Sequence, residues 1–188
     1  MSAFGLAILV GGWLTWLLPF IVAGINRNSH RNKRAPQQLD RRARWGIFVQ
    51  GLGFALMFHG PFWTRAVAPW RIPLSIFFFA LAGFLSWTSA STLGRQWRLD
   101  AGLNADHELV RSGPYRIVRH PIYLSMFAVM LGAGLLISRP AWLAAALVLE
   151  IIGTEIRVRV EDALLASRFG DKFTEYQRRV PAYIPMVR

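Results

Sequence analysis

Residues 121–156 read PIYLSMFAVMLGAGLLISRPAWLAAALVLEIIGTEI, and Arg139, Glu150 and Glu155 are the only charged side chains in that run. At 1.5 Å per helical residue, residues 121–138 and 140–156 are each of a length to cross the hydrocarbon core of a bilayer. Ser138-Arg139-Pro140 is all that joins them. The two segments therefore read as a tight antiparallel hairpin with Pro140 at the first helical position, where its missing N–H costs nothing.

Working outward, Ala3–Ile25 contains no charged residue, residues 45–63 are interrupted only by Gln50 and His59 as strong polar groups, and residues 73–93 carry Phe77, Phe78 and Phe79. A secretory signal is the competing reading of Ala3–Ile25. No Lys or Arg precedes the run and no small-x-small cleavage site follows it, which favours a span. The fold predicted is an all-α integral membrane protein of five transmembrane helices, a single membrane domain over residues 1–188. Composition agrees: 54% of the 188 residues are hydrophobic and 17% charged, which excludes a disordered chain and a coiled coil. With no cysteine, disulfide scaffolds, thiolate zinc sites and cysteine nucleophiles are excluded as well.

Lys and Arg number 22 against 10 Asp and Glu. None of the 22 lies inside a predicted span. Residues 26–44, 94–120 and 157–188 hold seven, five and seven of them, while the two segments on the other side hold two and one. The positive-inside rule then places the N-terminus outside and the C-terminus in the cytoplasm. This distribution follows topology, so the positive charge reads as loops facing lipid headgroups, with membrane lipids as partners and no nucleic acid.

Two cytoplasmic stretches carry chemistry. The first contains Leu93-Gly94-Arg95-Gln96-Trp97 and then His107-Glu108-Leu109-Val110-Arg111-Ser112-Gly113-Pro114-Tyr115, leading through Arg119-His120-Pro121-Ile122-Tyr123 into a membrane helix. Each of Gly113 and His120 precedes a proline and is biased toward extended backbone, so the segment reads as a shaped loop able to hold a polar cofactor. The plainer reading is a belt of Tyr and Arg anchoring a helix end at the headgroups. The second stretch follows if one helix continues from Pro140 to about Arg168. Glu150, Thr154, Arg157 and Glu161 then fall on one stripe, which points into the bundle because an intramembrane carboxylate needs a polar cavity or a partner. Glu155 and Arg159 lie off the stripe and read as an i,i+4 ion pair.

Other machinery is missing from the sequence. Gly51-Leu52-Gly53 lies in a span, where small residues serve helix packing, and is no nucleotide loop. Four histidines without HExxH spacing do not make a zinc site, and His59 reads as an interior hydrogen-bonded histidine.

The spaced text His107-x-Leu109-Val110-x-x-Gly113-Pro114-Tyr115-x-x-x-Arg119-His120-Pro121-x-Tyr123, followed by Arg157-x-x-x-Glu161-Asp162-x-Leu164-Leu165-x-x-x-Phe169-Gly170-x-x-Phe173-x-x-Tyr176, resembles the isoprenylcysteine carboxyl methyltransferase family, related to the phospholipid methyltransferases. The resemblance covers residues 93–185. It implies a membrane core that binds S-adenosylmethionine on its cytosolic side, without a Rossmann domain, and releases S-adenosylhomocysteine. By the same resemblance the cofactor contacts are His107, Glu108, Leu109 and Val110, Tyr115, His120, Pro121, Ile122 and Tyr123, and Glu161. Arg157 would address a substrate carboxylate, making Arg157 and Glu161 the catalytic pair, and a further family contact falls near Asp100. Asp162 and Phe173 stand where the family commonly has Glu and Tyr.

The chemistry of these residue types agrees. Methyl transfer from a sulfonium is an in-line displacement that needs positioning and electrostatics but no covalent intermediate. Arg157 can fork onto a carboxylate, and a carboxylate is already deprotonated at neutral pH, so no general base is required. Glu150 is expected to line the acceptor cavity beside Arg157. A lipid-like or prenylated acceptor makes sense of a membrane enzyme, with the carboxylate of an isoprenylcysteine-type substrate first, since an amine would sit badly against Arg157. A phospholipid amine and a small hydrophobic thiol are the alternatives within this chemistry. Outside it stand an NADPH-dependent reductase of the membrane sterol type, whose phosphate would call for more Lys and Arg around the loop, and a non-catalytic membrane subunit.

Overall fold

A computed structural model describes residues 1–29, 38–64, 66–98, 102–103 and 107–183. Among them are helices α1 (Ala3–Ser29), α2 (Ala43–Met57), α3 (Arg71–Leu93), α4 (Pro121–Ile137), α5 (Pro140–Phe169) and α6 (Asp171–Arg179), with single 3-10 turns at Phe62–Thr64, Gly94–Gln96 and Gly113–Arg116. One two-residue ladder is present. Strand β1 (Gln38–Leu39) pairs antiparallel with β2 (Gly102–Leu103), tying the α1–α2 connection to the segment after α3. Asp100 lies outside the described residues.

The first five helices follow the five apolar segments. Two of them, Ala3–Ile25 within α1 and Arg71–Leu93, are long and apolar enough to cross a membrane, and α4 is a shorter apolar helix. A soluble protein would bury such a helix. Instead α1 leaves Phe4, Leu6, Val10, Leu14, Leu18 and Val22 exposed, a surface suited to lipid. α2 ends earlier than the sequence suggested, at Met57 and not at residue 63, because Pro61 can neither donate to a helix nor let Gly60 continue one.

α4 is the hub. Ala128, Val129, Met130, Ala133, Leu136 and Ile137 are all buried, packing with Leu9 of α1, Phe79 and Ala82 of α3, Met57 of α2 and Ala146 of α5. Ser75 of α3 donates to the Gly132 carbonyl at 2.7 Å, fixing α3 against α4.

The hairpin expectation needs correction. Arg139 does join α4 to α5 directly, and Gly134 receives Leu143 across the turn. Beyond the turn, α4 packs chiefly on α3 and α5 chiefly on α2. The reason lies in three glycines. A Cβ on Gly46 would stand 2.5 Å from the Gly153 carbonyl, one on Gly153 would stand 2.7 Å from the Gly46 carbonyl, and one on Gly53 would stand 2.9 Å from the Ala146 carbonyl, so only glycine permits this backbone approach. Drawn toward α2, α5 leaves room between its C-terminal half and α4. Gly51 meets nothing within 4 Å and takes no part in this packing.

α5 runs unbroken for 30 residues and stops at Gly170, whose φ of +52° an L side chain rarely adopts. α6 then folds back beneath the space between α4 and α5.

Candidate active site

The loop before α4 is held by the C-terminal segment. The Arg119 and His120 amides donate to the carbonyls of Pro181 and Ala182 at 2.8 and 3.0 Å. The Arg119 guanidinium donates to the carbonyls of Gln177 and Val180 at the end of α6, where a cation is favoured, and to Asp162 of α5 at 3.0 Å. The Tyr176 hydroxyl closes the clamp by donating to the Tyr115 carbonyl. Burial pushes the Tyr176 phenol up to about 12, so it remains a donor.

Inside the clamp His120 stands between two acids. Its Nε2 lies 2.9 Å from Asp162 Oδ1, and its Nδ1 lies 3.5 Å from Glu161 Oε2. Burial alone would lower the imidazole, but its hydrogen bonds to Asp162 and Glu161 outweigh that and hold it above the ordinary histidine value. Burial likewise opposes ionisation of Glu161 and Asp162. The opposing influences win: His120 and Arg157 hold Glu161 below the ordinary carboxylate value, and His120 and Arg119 do the same for Asp162. The group is therefore a histidine set between two carboxylates, each favouring the charged form of the other.

Tyr123, one turn into α4, donates its hydroxyl to Glu161 Oε1. Arg157, one turn earlier on α5, stands with Nη2 3.9 Å from Glu161 and its guanidinium 4.9 Å over the Tyr123 ring. Behind Arg157 lies a group wholly within the helices. Arg157 Nη1 donates to Gln50 Oε1 at 3.2 Å, while Gln50 Nε2 donates to Glu150 Oε1 at 3.0 Å and to Thr154 Oγ1 at 2.9 Å.

His120, Tyr123, Arg157 and Glu161 border a cavity of about 430 Å³, a volume in the range of pockets for drug-sized ligands. Its wall includes His107, Glu108, Leu109, Val110, Tyr115, His120, Ile122, Tyr123, Arg157 and Glu161. Pro121 is not on the wall; it starts α4 and is buried. Glu150, expected to line the cavity, lies behind it with no exposed surface, because Gln50 and Thr154 fill the space between. Glu155 pairs with Arg159 at 2.8 Å on the exposed face, away from the stripe.

The sequence reading missed three contributors. Gln50 was visible only as a polar interruption in an apolar run. Trp16, Leu17, Phe20 and Ile21 of α1 form the apolar wall opposite Arg157, although no motif marks them. Phe20 stacks on Trp97 at 5.6 Å, and Trp16 donates from its indole to Ser125 Oγ at 3.0 Å, so both rings are fixed. Phe173 and Tyr176 of α6, which the signature text contains without a role, complete the wall. Among the described residues no group of three or more His, Asp or Glu is placed to hold a metal ion.

The donor set suits S-adenosylmethionine: a carboxylate for cationic groups, aromatic rings for a purine, and backbone from a shaped loop. Fold and site together define a helical, apolar-surfaced protein with a cofactor-sized cavity at one end. The profile of the isoprenylcysteine carboxyl methyltransferase family matches residues 74–167, and the chain belongs to that family. A cobalt-zinc-cadmium resistance protein of Cupriavidus metallidurans is 32% identical over 142 residues, 75% of this chain and 62% of that protein. A nickel-cobalt-cadmium resistance protein of Alcaligenes xylosoxydans xylosoxydans is 32% identical over 146 residues, 66% of this chain and 67% of that protein. The protein-S-isoprenylcysteine O-methyltransferase of Schizosaccharomyces pombe is 39% identical over 85 residues, 45% of this chain and 36% of that protein. The chain thus spans little more than a third of that methyltransferase.

Proposed function

We propose that this chain is a methyltransferase that uses S-adenosylmethionine and acts on a membrane-held, lipid-like acceptor, the carboxylate of an isoprenylcysteine-type molecule first. One observation carries the reading. A single cavity is lined by the polar side chains of His107, Glu108, Tyr115, His120, Tyr123 and Glu161, by the apolar Trp16, Leu17, Phe20 and Ile21 of α1, and by Arg157. Such a cavity can hold a charged cofactor and an apolar acceptor in contact, with the acceptor's tail at the depth of the lipid.

In this reading α1–α5 cross the membrane, with the N-terminus outside and α6 in the cytoplasm. The apolar side chains exposed on α1, α3 and α5, such as Leu14, Phe77, Phe84, Val148 and Ile151, support it. His107–Val110, Tyr115, His120, Ile122, Tyr123 and Glu161 hold the cofactor. Pro121 contributes by setting where α4 begins. When bound, the cofactor supplies a methyl group activated on a sulfonium. Glu161, kept ionised by His120 and Arg157, balances the cofactor's positive charge. Arg157 binds the acceptor carboxylate and turns one oxygen toward the methyl group, neutralising an anion that has to lose its water. Lining residues from α1 keep bulk solvent from the acceptor side.

The test is calorimetric titration of the purified chain with S-adenosylhomocysteine and, in parallel, NADPH, followed by radiolabelled methyl transfer to a prenylcysteine, a phospholipid amine and a small hydrophobic thiol. Binding of S-adenosylhomocysteine with base-labile label on the prenylcysteine is expected. NADPH binding alone would replace the reading with a reductase, and label on the amine or the thiol would replace the acceptor.

A further inference from the structure

Gln50 is a polar side chain 2% exposed, on a helix outside the matched family profile, and it stands behind the cavity wall without being part of it. Its orientation is forced by chemistry. Arg157 can only donate, so the Gln50 carbonyl oxygen has to face Nη1, at 3.2 Å, and the amide nitrogen then points to Glu150 and Thr154, both of which accept, at 3.0 and 2.9 Å. Two acceptors on α5 thus set the amide of α2, and that amide in turn holds a guanidinium of α5. The arrangement depends on the glycines that bring the helices together. A Cβ on Gly153 would stand 2.6 Å from Gln50 Cγ, and one on Gly46 would stand 2.4 Å from Arg157 Cγ. Close packing therefore fixes both ends of the Gln50–Arg157 bond.

A long arginine pays rotamer entropy to bind a carboxylate unless it is already held, and a neutral acceptor can hold it without cancelling its charge. A carboxylate at position 50 could also accept from Arg157, but it would offer no donor to Glu150 and would satisfy the charge meant for the ligand. We infer that Gln50 is the positioning residue for Arg157: with Glu150 and Thr154 it orients the guanidinium from behind without itself adding a negative charge beside it. The inference rests on the proposed reading that Arg157 receives such a carboxylate.

It is tested on the detergent-purified full chain saturated with S-adenosylhomocysteine, titrated with S-farnesylcysteine and with its carboxamide. The variants are Gln50→Met, Gln50→Glu and Thr154→Val. A charge-assisted hydrogen bond of about 1.5–3 kcal/mol corresponds to roughly 10- to 100-fold in affinity. Gln50→Met and Gln50→Glu should each weaken the carboxylate ligand by about that factor while leaving the carboxamide and S-adenosylhomocysteine affinities within about twofold. Thr154→Val should give a smaller loss, restored by Thr154→Ser. In turnover, KM for the acceptor should rise more than kcat falls for Gln50→Glu, because its added anion competes for Arg157.

Thr154→Val leaves the Gln50 carbonyl facing Arg157, so it serves if the position-50 variants fail to fold. Equal losses for carboxylate and carboxamide, or parallel loss of S-adenosylhomocysteine, would make Gln50 a packing residue and overturn the inference. A wild-type chain that binds S-adenosylhomocysteine but does not prefer the carboxylate would remove the carboxylate premise and the inference together. Absence of S-adenosylhomocysteine binding to the wild type would instead strike the methyltransferase reading, and the inference with it.

Discussion

Asp162 holds His120 by its Nε2 at 2.9 Å, and the same carboxylate receives Arg119 at 3.0 Å, so one side chain of α5 fixes the two residues that precede α4. The bonds make stability depend on pH in a defined direction. His120 is held above its ordinary value, so its contribution is complete below that value and is lost as pH rises through the elevated one. Glu161 and Asp162 are held below theirs, so their contribution is present above the ordinary carboxylate value and is lost as pH falls through the depressed ones. The melting temperature is expected to hold from about pH 5 to about pH 6.5 and to decline on the alkaline side. Asp162→Asn should flatten that decline; an unchanged profile in thermal melts across the same buffers would show that His120 does not carry it.

Arg157→Lys keeps the charge and loses the planar fork that both Gln50 and a carboxylate engage. Turnover is expected to fall far more than S-adenosylhomocysteine affinity. Equal losses in the two measurements would place Arg157 with the cofactor.

Gly46→Ala and Gly51→Ala form a contrast within α2. A Cβ at Gly46 would meet Arg157 and the Gly153 carbonyl, whereas one at Gly51 meets nothing within 4 Å. Gly46→Ala should cost about 1–3 kcal/mol of overpacking. Gly51→Ala should leave stability unchanged or raise it by up to about 1 kcal/mol through helix propensity. Denaturation midpoints of the two variants decide, and similar values would argue against the α2–α5 contact.

Arg119→Ala removes the donor to Gln177, Val180 and Asp162. Limited proteolysis read by mass spectrometry should show new cleavage after Gly170, with weaker S-adenosylhomocysteine binding, since Phe173 and Tyr176 lie on the cavity wall. A cleavage map like that of the wild type would mean that Tyr176 and the backbone pairing hold α6 without Arg119.

The parts of this protein legible in its sequence are those written in local spacing. The stripe of Glu150, Thr154, Arg157 and Glu161 needs only the 3.6-residue turn, and the helix carrying it is continuous as read. The prolines at 114 and 121 announced a shaped loop, and a 3-10 turn and a helix start stand there, although Gly113 takes a φ of +56° and not the extended backbone expected of it. Gln50 was opaque because Glu150, Thr154 and Arg157, its partners on α5, lie at least 100 residues away along the chain. The pairing of α5 with α2 was opaque for a similar reason. A short connection announces neighbours, yet close backbone approach through Gly46, Gly53 and Gly153 outweighs it. Glu150 was misplaced because a stripe gives a direction and not a depth, and Gln50 occupies the depth in between.

The apolar wall supplied by α1 has a consequence for how the family can diversify. On the proposed function Trp16, Leu17, Phe20 and Ile21 face the acceptor, whereas the grips on His120, Glu161 and Arg157 come from other helices. Exchanging side chains on α1 reshapes what the cavity admits and leaves the reaction machinery as it is. A single helix without any motif is thus the place where a chain of this kind could adopt a new acceptor in a few substitutions, and two members with the same signature text could serve unrelated molecules.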